Sequence, residues 1–128
     1  NDPSFTGALG STEIARKNWD HFAVGAAVSG VTIVCGENVC GIDPRLVLDK
    51  NNMVIEAPDM DRRIEAYKKY HTGKGEILIQ MNVEDTRLGV AEYIINKHQI
   101  ETIEPFDLFP HTYHIETLVL LRRTSTSE

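Results

Sequence analysis

The sequence predicts an α/β fold in which a parallel sheet is built from β-α-β crossovers. Its 128 residues suffice for one domain and are too few for two. Apolar runs at 31–35 and 77–79 are continuous rather than alternating, which is typical of strands buried on both faces. Segments with helical periodicity separate these runs, and this alternation favours parallel strands joined by right-handed crossovers.

The first helix is expected to begin at a cap on Ser11 and to end at Gly30. Glu13 lies in its first turn, where the helix dipole favours a carboxylate. Two adjacent apolar stripes run along it, one formed by Ile14, Phe22 and Ala26, the other by Ala15, Trp19, Ala23 and Ala27. We expect Phe22 and Ala26 to face the sheet.

The remaining elements follow in order along the chain. They are a strand at 31–35, a hairpin of 46–48 and 53–55, a helix from Pro58 to about 72–73, a strand at 76–81, a helix capped by Asp85 and a strand at 100–103. In the second helix Met60, Ile64 and Tyr67 should point inward. In the third, Leu88, Ala91, Ile94 and Ile95 share one face, and Ile94 with Ile95 should cover the sheet.

Polar residues follow two of the predicted strands. Glu37 and Asn38 come after the strand at 31–35, and Gln80, Asn82 and Arg87 come after the strand at 77–79. Parallel strands end at the same edge of a sheet, so these residues should line one cleft. Such a cleft suits a polar or anionic ligand, with the lone carboxylate available for acid–base work. Alternatively, the polar residues at 82–86 only build a turn and a helix cap.

Composition narrows the classes of partner. A formal charge of −6 disfavours nucleic acid and anionic membrane surfaces. No apolar run approaches the roughly 20 residues that span a bilayer. Two cysteines, Cys35 and Cys40, are too few for a disulfide scaffold and fit a reducing cytoplasm.

Metal chemistry is not expected. The two cysteines fall short of the set of about four ligands that an iron–sulfur cluster needs. His111 and His114 lack an evident third ligand, and we interpret His98, at a helix end, as a surface residue or a residue that caps the helix dipole.

Four segments carry a family resemblance. They are 6–11 (TGALGS), 22–27 (FAVGAA), 35–38 (CGEN) and above all 83–93 (VEDTRLGVAEY). Together they resemble the FMN-binding synthase domain of glutamate synthase, most closely its short archaeal-type form. The resemblance covers about residues 5–104, and its most specific part is 87–93 combined with the Gly-Glu loop at 36–37.

The resemblance implies part of a (β/α)₈ barrel that holds FMN at its C-terminal face. In that family the flavin passes electrons to 2-iminoglutarate, formed from 2-oxoglutarate and ammonia or glutamine-derived nitrogen, and glutamate is released. Carried over to this chain, Glu37 would be catalytic and Arg87 would bind the dicarboxylate substrate. The residues that would contact FMN are Ala8, Gly36, Asn38 and Gln80.

The chain also departs from the family pattern. The Met-Ser pair expected near Ser4-Phe5 is absent, Ile79 replaces a common lysine, and no Gln-Gly-Ala-Lys loop follows Glu104. We therefore divide the chain into a glutamate-synthase-like segment at 1–104 and an unmatched tail at 105–128. The FMN phosphate site, which late loops build in such barrels, is missing from this sequence.

Two functional hypotheses follow. In one, the chain is part of a flavin-dependent glutamate-synthase-type oxidoreductase in the cytoplasm. In the other, it is a non-catalytic α/β module that self-associates and binds no flavin. For the isolated chain we expect no turnover, no flavin retained after dialysis, and dimers or larger species, because an open sheet edge tends to pair.

Overall fold

The computed structural model describes the backbone of residues 5–73, 76–98, 100–106 and 117–123, with side chains at 10–73 and 76–98. Its elements are β1 (Phe5–Leu9), α1 (Glu13–Ser29), β2 (Thr32–Cys35), β3 (Val47–Leu48), β4 (Val54–Glu56), α2 (Pro58–Tyr70), β5 (Ile77–Met81), α3 (Val83–Leu88), α4 (Val90–His98), β6 (Ile100–Phe106) and β7 (Thr117–Arg123).

A sheet with the strand order β1-β2-β5-β7-β6 forms the centre of this structure. The strands β1, β2 and β5 are parallel, and α1 and α2 lie in the crossovers between them. The predicted α/β class with a small parallel sheet is therefore confirmed. The sheet as a whole is mixed, because β7 pairs antiparallel with both β5 and β6. This antiparallel strand was not predicted.

Helix α1 begins one residue later than expected. Thr12, not Ser11, is the N-cap, and its hydroxyl oxygen accepts a hydrogen bond from the Ala15 amide at 3.1 Å. Gly30 ends the helix as predicted, with a φ of 75°. In this left-handed conformation its amide donates to the last carbonyls of the helix, and glycine adopts the conformation without strain.

The expectation that Phe22 faces the sheet is wrong. Phe22 is 50% exposed and Ile14 is 74% exposed. The buried face is the neighbouring stripe together with Ala26, which is buried in the core; its residues are Ala15, Trp19, Ala23, Ala26 and Ala27. The small alanines of this face let the helix approach its neighbours closely, and the Trp19 side chain fills the remaining space in the core. The larger apolar residues on the other side of the helix therefore remain in solvent.

The middle of the chain folds as predicted. The hairpin forms as β3 and β4, paired antiparallel. Helix α2 starts at Pro58 and buries Met60, Ile64 and Tyr67. It ends at Tyr70, slightly before the expected boundary.

The third predicted helix is two helices, because Gly89 interrupts it. Gly89 has a φ of 74° and closes α3 with hydrogen bonds from its amide to the carbonyls of Asp85 and Thr86. Helix α4 then buries Ile94 completely, whereas Ile95 is 37% exposed. The expectation that Ile95 covers the sheet is therefore wrong.

The described helices pack on one face of the sheet. Trp19 of α1, Ile64 of α2 and Ile94 of α4 belong to a single core cluster with Ile33 and Ile79 of the sheet. Side chains alternate along a strand, so Val34 and Leu78, which form a second small cluster, lie on the opposite face. The crossovers between the parallel strands therefore all pass on the same side of the sheet, and the described helices lie on that side.

Replacing Ile94 by alanine is expected to lower the free energy of unfolding by about 2–5 kcal/mol, because the residue is fully buried in the core. The partly exposed Ile95 provides the control, and Ile95→Ala should cost less than about 1 kcal/mol. Denaturant unfolding measures both losses. A loss below about 0.5 kcal/mol for Ile94→Ala would show that α4 is peripheral to the core.

Candidate functional site

The C-terminal ends of the parallel strands meet at one edge of the sheet. A Cβ atom added at Gly10, just after β1, would lie 3.3 Å from the Cα atom of Gly36, just after β2. That distance is tighter than ordinary van der Waals contact, so only glycine fits at Gly10 without displacing the neighbouring loop. The loops after β1 and β2 therefore touch, backbone against backbone.

One carboxylate joins the loop after β2 to the loop after β5. Asp85 Oδ2 accepts a hydrogen bond from the Asn38 amide at 3.0 Å and another from the Asn82 amide at 3.1 Å. Asn38 has a φ of 66°, a left-handed conformation that asparagine tolerates better than most residues. The two polar loops thus converge as the sequence predicted.

The same contacts form the cap of α3. The Asn82 side chain accepts from the Asp85 amide at 2.9 Å, so Asn82 is the N-cap and Asp85 completes a capping box. This corrects the expectation that Asp85 is itself the cap. The Thr86 hydroxyl donates to the Asn82 carbonyl at 3.2 Å. For residues 82–86 the structural interpretation as a turn and cap accounts for these contacts.

Glu37 and Gln80 differ from these capping residues. Glu37 is half-buried, and Gln80, near the end of β5, is only 9% exposed. Within the described part of the chain neither side chain forms a hydrogen bond or an ion pair. Strand alternation places Gln80 on the face of Val34 and Leu78, opposite the helices. A carboxylate and a buried amide are therefore uncommitted at this edge.

The other predicted site residues have different surroundings. Gly36 is buried between the loops, and Asn38 contributes its backbone amide to Asp85. Arg87 is exposed and pairs with Glu84 one turn earlier in α3, at 3.1 Å. Ala8 pairs in register with Val34, and its side chain lies outside the described residues. His111 and His114 also lie outside them.

Sequence reasoning missed a buried ionic cluster beneath the β2 end. Arg63 is fully buried, donates through Nε to Asp59 Oδ2 at 3.2 Å and contacts Cys35 Sγ at 3.7 Å. Its carbonyl accepts from Trp19 Nε1 at 2.9 Å, and its guanidinium carbon lies 5.2 Å from the Trp19 ring centroid. The only available signal was Pro58-Asp59, an acidic residue in the first turn of a helix.

Both cysteines are buried, free thiols. Burial raises the pKa of Cys35 to about 11, an effect that the nearby Arg63 charge only partly offsets. Burial also raises the pKa of Cys40. The thiols therefore stay protonated near neutral pH and are poor nucleophiles and poor metal ligands. No group of three metal-ligating side chains occurs among the described residues.

His98 corrects another expectation, since it is buried rather than at the surface. Its Nε2 atom lies 2.8 Å from Asp61 Oδ1, and its Nδ1 atom lies 3.2 Å from Glu65 Oε2. The Tyr93 hydroxyl donates to the other Asp61 oxygen at 2.7 Å. These contacts fasten α4 to α2, and they had no local signal because the partners lie more than 30 residues apart.

No protein-family model, curated protein or solved structure matches this chain. Among the described helices, none has the length and apolar character needed to cross a membrane.

Removing the Asp85 carboxylate should lower the free energy of unfolding by about 2–4 kcal/mol, because two amides lose a charged acceptor in a buried position. Asp85→Ala is compared with Glu84→Ala, which removes an exposed carboxylate from the same helix and should cost less than about 1 kcal/mol. Denaturant unfolding measures both. Equal losses in the two variants would mean that the Asp85 hydrogen bonds contribute little to stability.

Proposed function

We propose that this chain supplies the early part of a glutamate-synthase-like, FMN-dependent site that reductively aminates 2-oxoglutarate to glutamate. The observation that carries the proposal is the pair of uncommitted groups at the C-terminal edge of the parallel strands, the Gln80 amide and the Glu37 carboxylate. In α/β folds this edge is where ligands bind. The resemblance assigns the same two positions to flavin contact and to catalysis.

The winding of β1, β2 and β5 supports the (β/α)₈ part of the proposal, whereas the antiparallel β7 beside β5 departs from the all-parallel barrel pattern. A barrel needs its helices outside and a helix-free face inside, and the described helices do share one face. On the other face lie Val34, Leu78 and Gln80, two apolar residues and one amide. A flavin ring, which combines an apolar surface with hydrogen-bonding edges, suits that combination.

The residues present fit FMN on this side of the pocket. The backbone contact between Gly10 and Gly36 joins the loops after β1 and β2, so the two loops would together form one wall of the site. Gln80 can both donate to and accept from the ring edge. FMN, when bound, supplies the reducing equivalents. We assign no residue of the described chain to its phosphate.

Glu37 and Arg87 would act on the substrate. Glu37 is a half-buried carboxylate with no partner among the residues that the structure describes, and it can accept a proton from ammonium and return one to the reacting nitrogen. Arg87 can hold a carboxylate of 2-oxoglutarate in a bidentate manner. To do so it must leave Glu84, which costs little because this ion pair is solvent-exposed. The cytoplasmic location belongs to the same proposal and is supported by the two free thiols.

One observation favours the alternative, a non-catalytic module that self-associates. Helix α1 exposes Ile14, Phe22 and Val28, which are large apolar residues on its outer side. Such a surface is commonly covered by another protein surface. Self-association and flavin binding are measurable on the same sample.

Titration of the chain with FMN, followed by quenching of flavin fluorescence, tests the proposal. We expect weak, saturable binding that is lost on dialysis, because the sequence contains no Gln-Gly-Ala-Lys loop and so lacks the late-loop phosphate site of the family that it resembles. Gln80→Leu should weaken binding about tenfold, since the ring edge loses a hydrogen-bond partner. Asn96→Leu, the same kind of change on the exposed side of α4, should have no effect.

Two results would decide against the flavin site. The proposal would be contradicted if quenching never saturates, or if Gln80→Leu binds FMN with the same affinity as the parent chain. If light scattering then shows a dimer that Phe22→Ser dissociates, the chain is a self-associating module.

A further inference from the structure

A cavity separate from the proposed flavin site lies near the C-terminal ends of the parallel strands, on the side of the sheet that carries the helices. Its volume is about 350 Å³. It lies between the first turns of α1 and α2 and the loop after β2, and it is lined by Arg16, Lys17, Ile42, Asp43, Pro44, Arg45, Asp59 and Arg62. None of these residues belongs to the loops at 36–38 and 80–87 that carry the proposed flavin site. Half of the lining residues are cationic, in a chain with a net charge of −6.

The two carboxylates that line the cavity are committed to the fold. Asp43 accepts from the amides of Asp59 and Arg45, at 2.8 and 2.9 Å. Asp59 accepts from Arg62 on one oxygen and from the buried Arg63 on the other, at 2.9 and 3.2 Å. Each of the four carboxylate oxygens therefore accepts a hydrogen bond. Arg62 and Arg63 both pair with Asp59, Arg62 also pairs with the exposed Asp20, and the cation nearest Asp43 is Arg45.

Three of the cations are only loosely held. Arg45 Nε lies 3.8 Å from Asp43, Arg16 lies 4.0 Å from Glu13, and Lys17 lies 3.8 Å from the same carboxylate. Glu13 is itself mostly exposed. The two pairs with Glu13 are solvent-exposed and contribute little, so Arg16 and Lys17 can turn toward another anion at small cost. Asp43 is buried, but its oxygens already accept two backbone amides, and the Arg45 side chain is 65% exposed. The N-terminal ends of α1 and α2 add positive potential on the same side.

We propose that this cavity binds a small multivalent anion, held by Arg16, Lys17 and Arg45 over the floor formed by Asp43, Asp59 and Arg62. The ligand chemistry is a phosphate group or a short dicarboxylate, which arginine recognises through two parallel hydrogen bonds. Because the cavity is open and its cations are exposed, the affinity should be on the order of millimolar and should fall as salt rises.

The test follows backbone amide shifts of the chain in two-dimensional NMR spectra. Inorganic phosphate and succinate are titrated separately, with sodium chloride at matched ionic strength as the reference. We expect saturable shifts at Arg16, Lys17 and Arg45 that chloride does not produce. Tighter binding of phosphate identifies a phosphate ligand, and tighter binding of succinate identifies a dicarboxylate.

The double variant Arg16→Gln/Arg45→Gln should weaken binding about tenfold, since two ligand-facing charges are lost. Both changes leave in place the Arg16 carbonyl and the Arg45 amide, which take part in hydrogen bonds, so the fold should persist and its spectrum will show this. Lys50→Gln removes an exposed charge in the hairpin turn and should leave the affinity unchanged. Shifts that match those with chloride, or equal affinity in the double variant, would overturn the proposal.

Discussion

The Asp85 carboxylate is the interaction on which the arrangement of the sheet edge depends. Through one oxygen it accepts from the Asn82 amide, where α3 begins, and from the Asn38 amide, in the loop after β2. Without this buried acceptor two partly buried amide donors would lose their partner, which is costly where water has little access. The position of the Gly36–Asn38 loop, and hence of Glu37, follows from this bond. The proposed catalytic carboxylate, Glu37, therefore depends for its position on a residue to which no ligand contact is assigned.

The buried Arg63 has a comparable positioning effect on the side of the sheet that carries the helices. Arg63 joins α2 to α1 through Trp19 and to β2 through Cys35, while Asp59 balances its charge. A buried ion pair contributes little net stability when intact but is expensive to break, so its main effect is to fix which surfaces meet. The first turn of α2 is held beside Asp43 by the hydrogen bond from the Asp59 amide to Asp43 Oδ2, at 2.8 Å. The cavity between the helix ends has its shape because of that constraint.

The sequence predicted features that depend on local patterns and missed those that depend on distant partners. The parallel strands, the hairpin and the end of α1 at Gly30 follow from apolar runs and turn residues. The burial of His98 and Arg63 could not be predicted, because each is paired with groups on other elements and charged residues are ordinarily solvated. For the site, the convergence of two loops was predictable from parallel pairing. The antiparallel β7 was not, since its partner is set by non-local contacts.

Hydrogen exchange of the Asn38 amide tests the central claim most directly. Loop amides normally exchange fast, whereas an amide bonded to a buried carboxylate exchanges only when the structure opens. We predict that Asn38 is protected nearly as well as Ile79 in the core, and that Asp85→Ala removes the protection at Asn38 while Ile79 keeps its own. Rapid exchange of Asn38 in the parent chain, or protection that survives Asp85→Ala, would contradict the account.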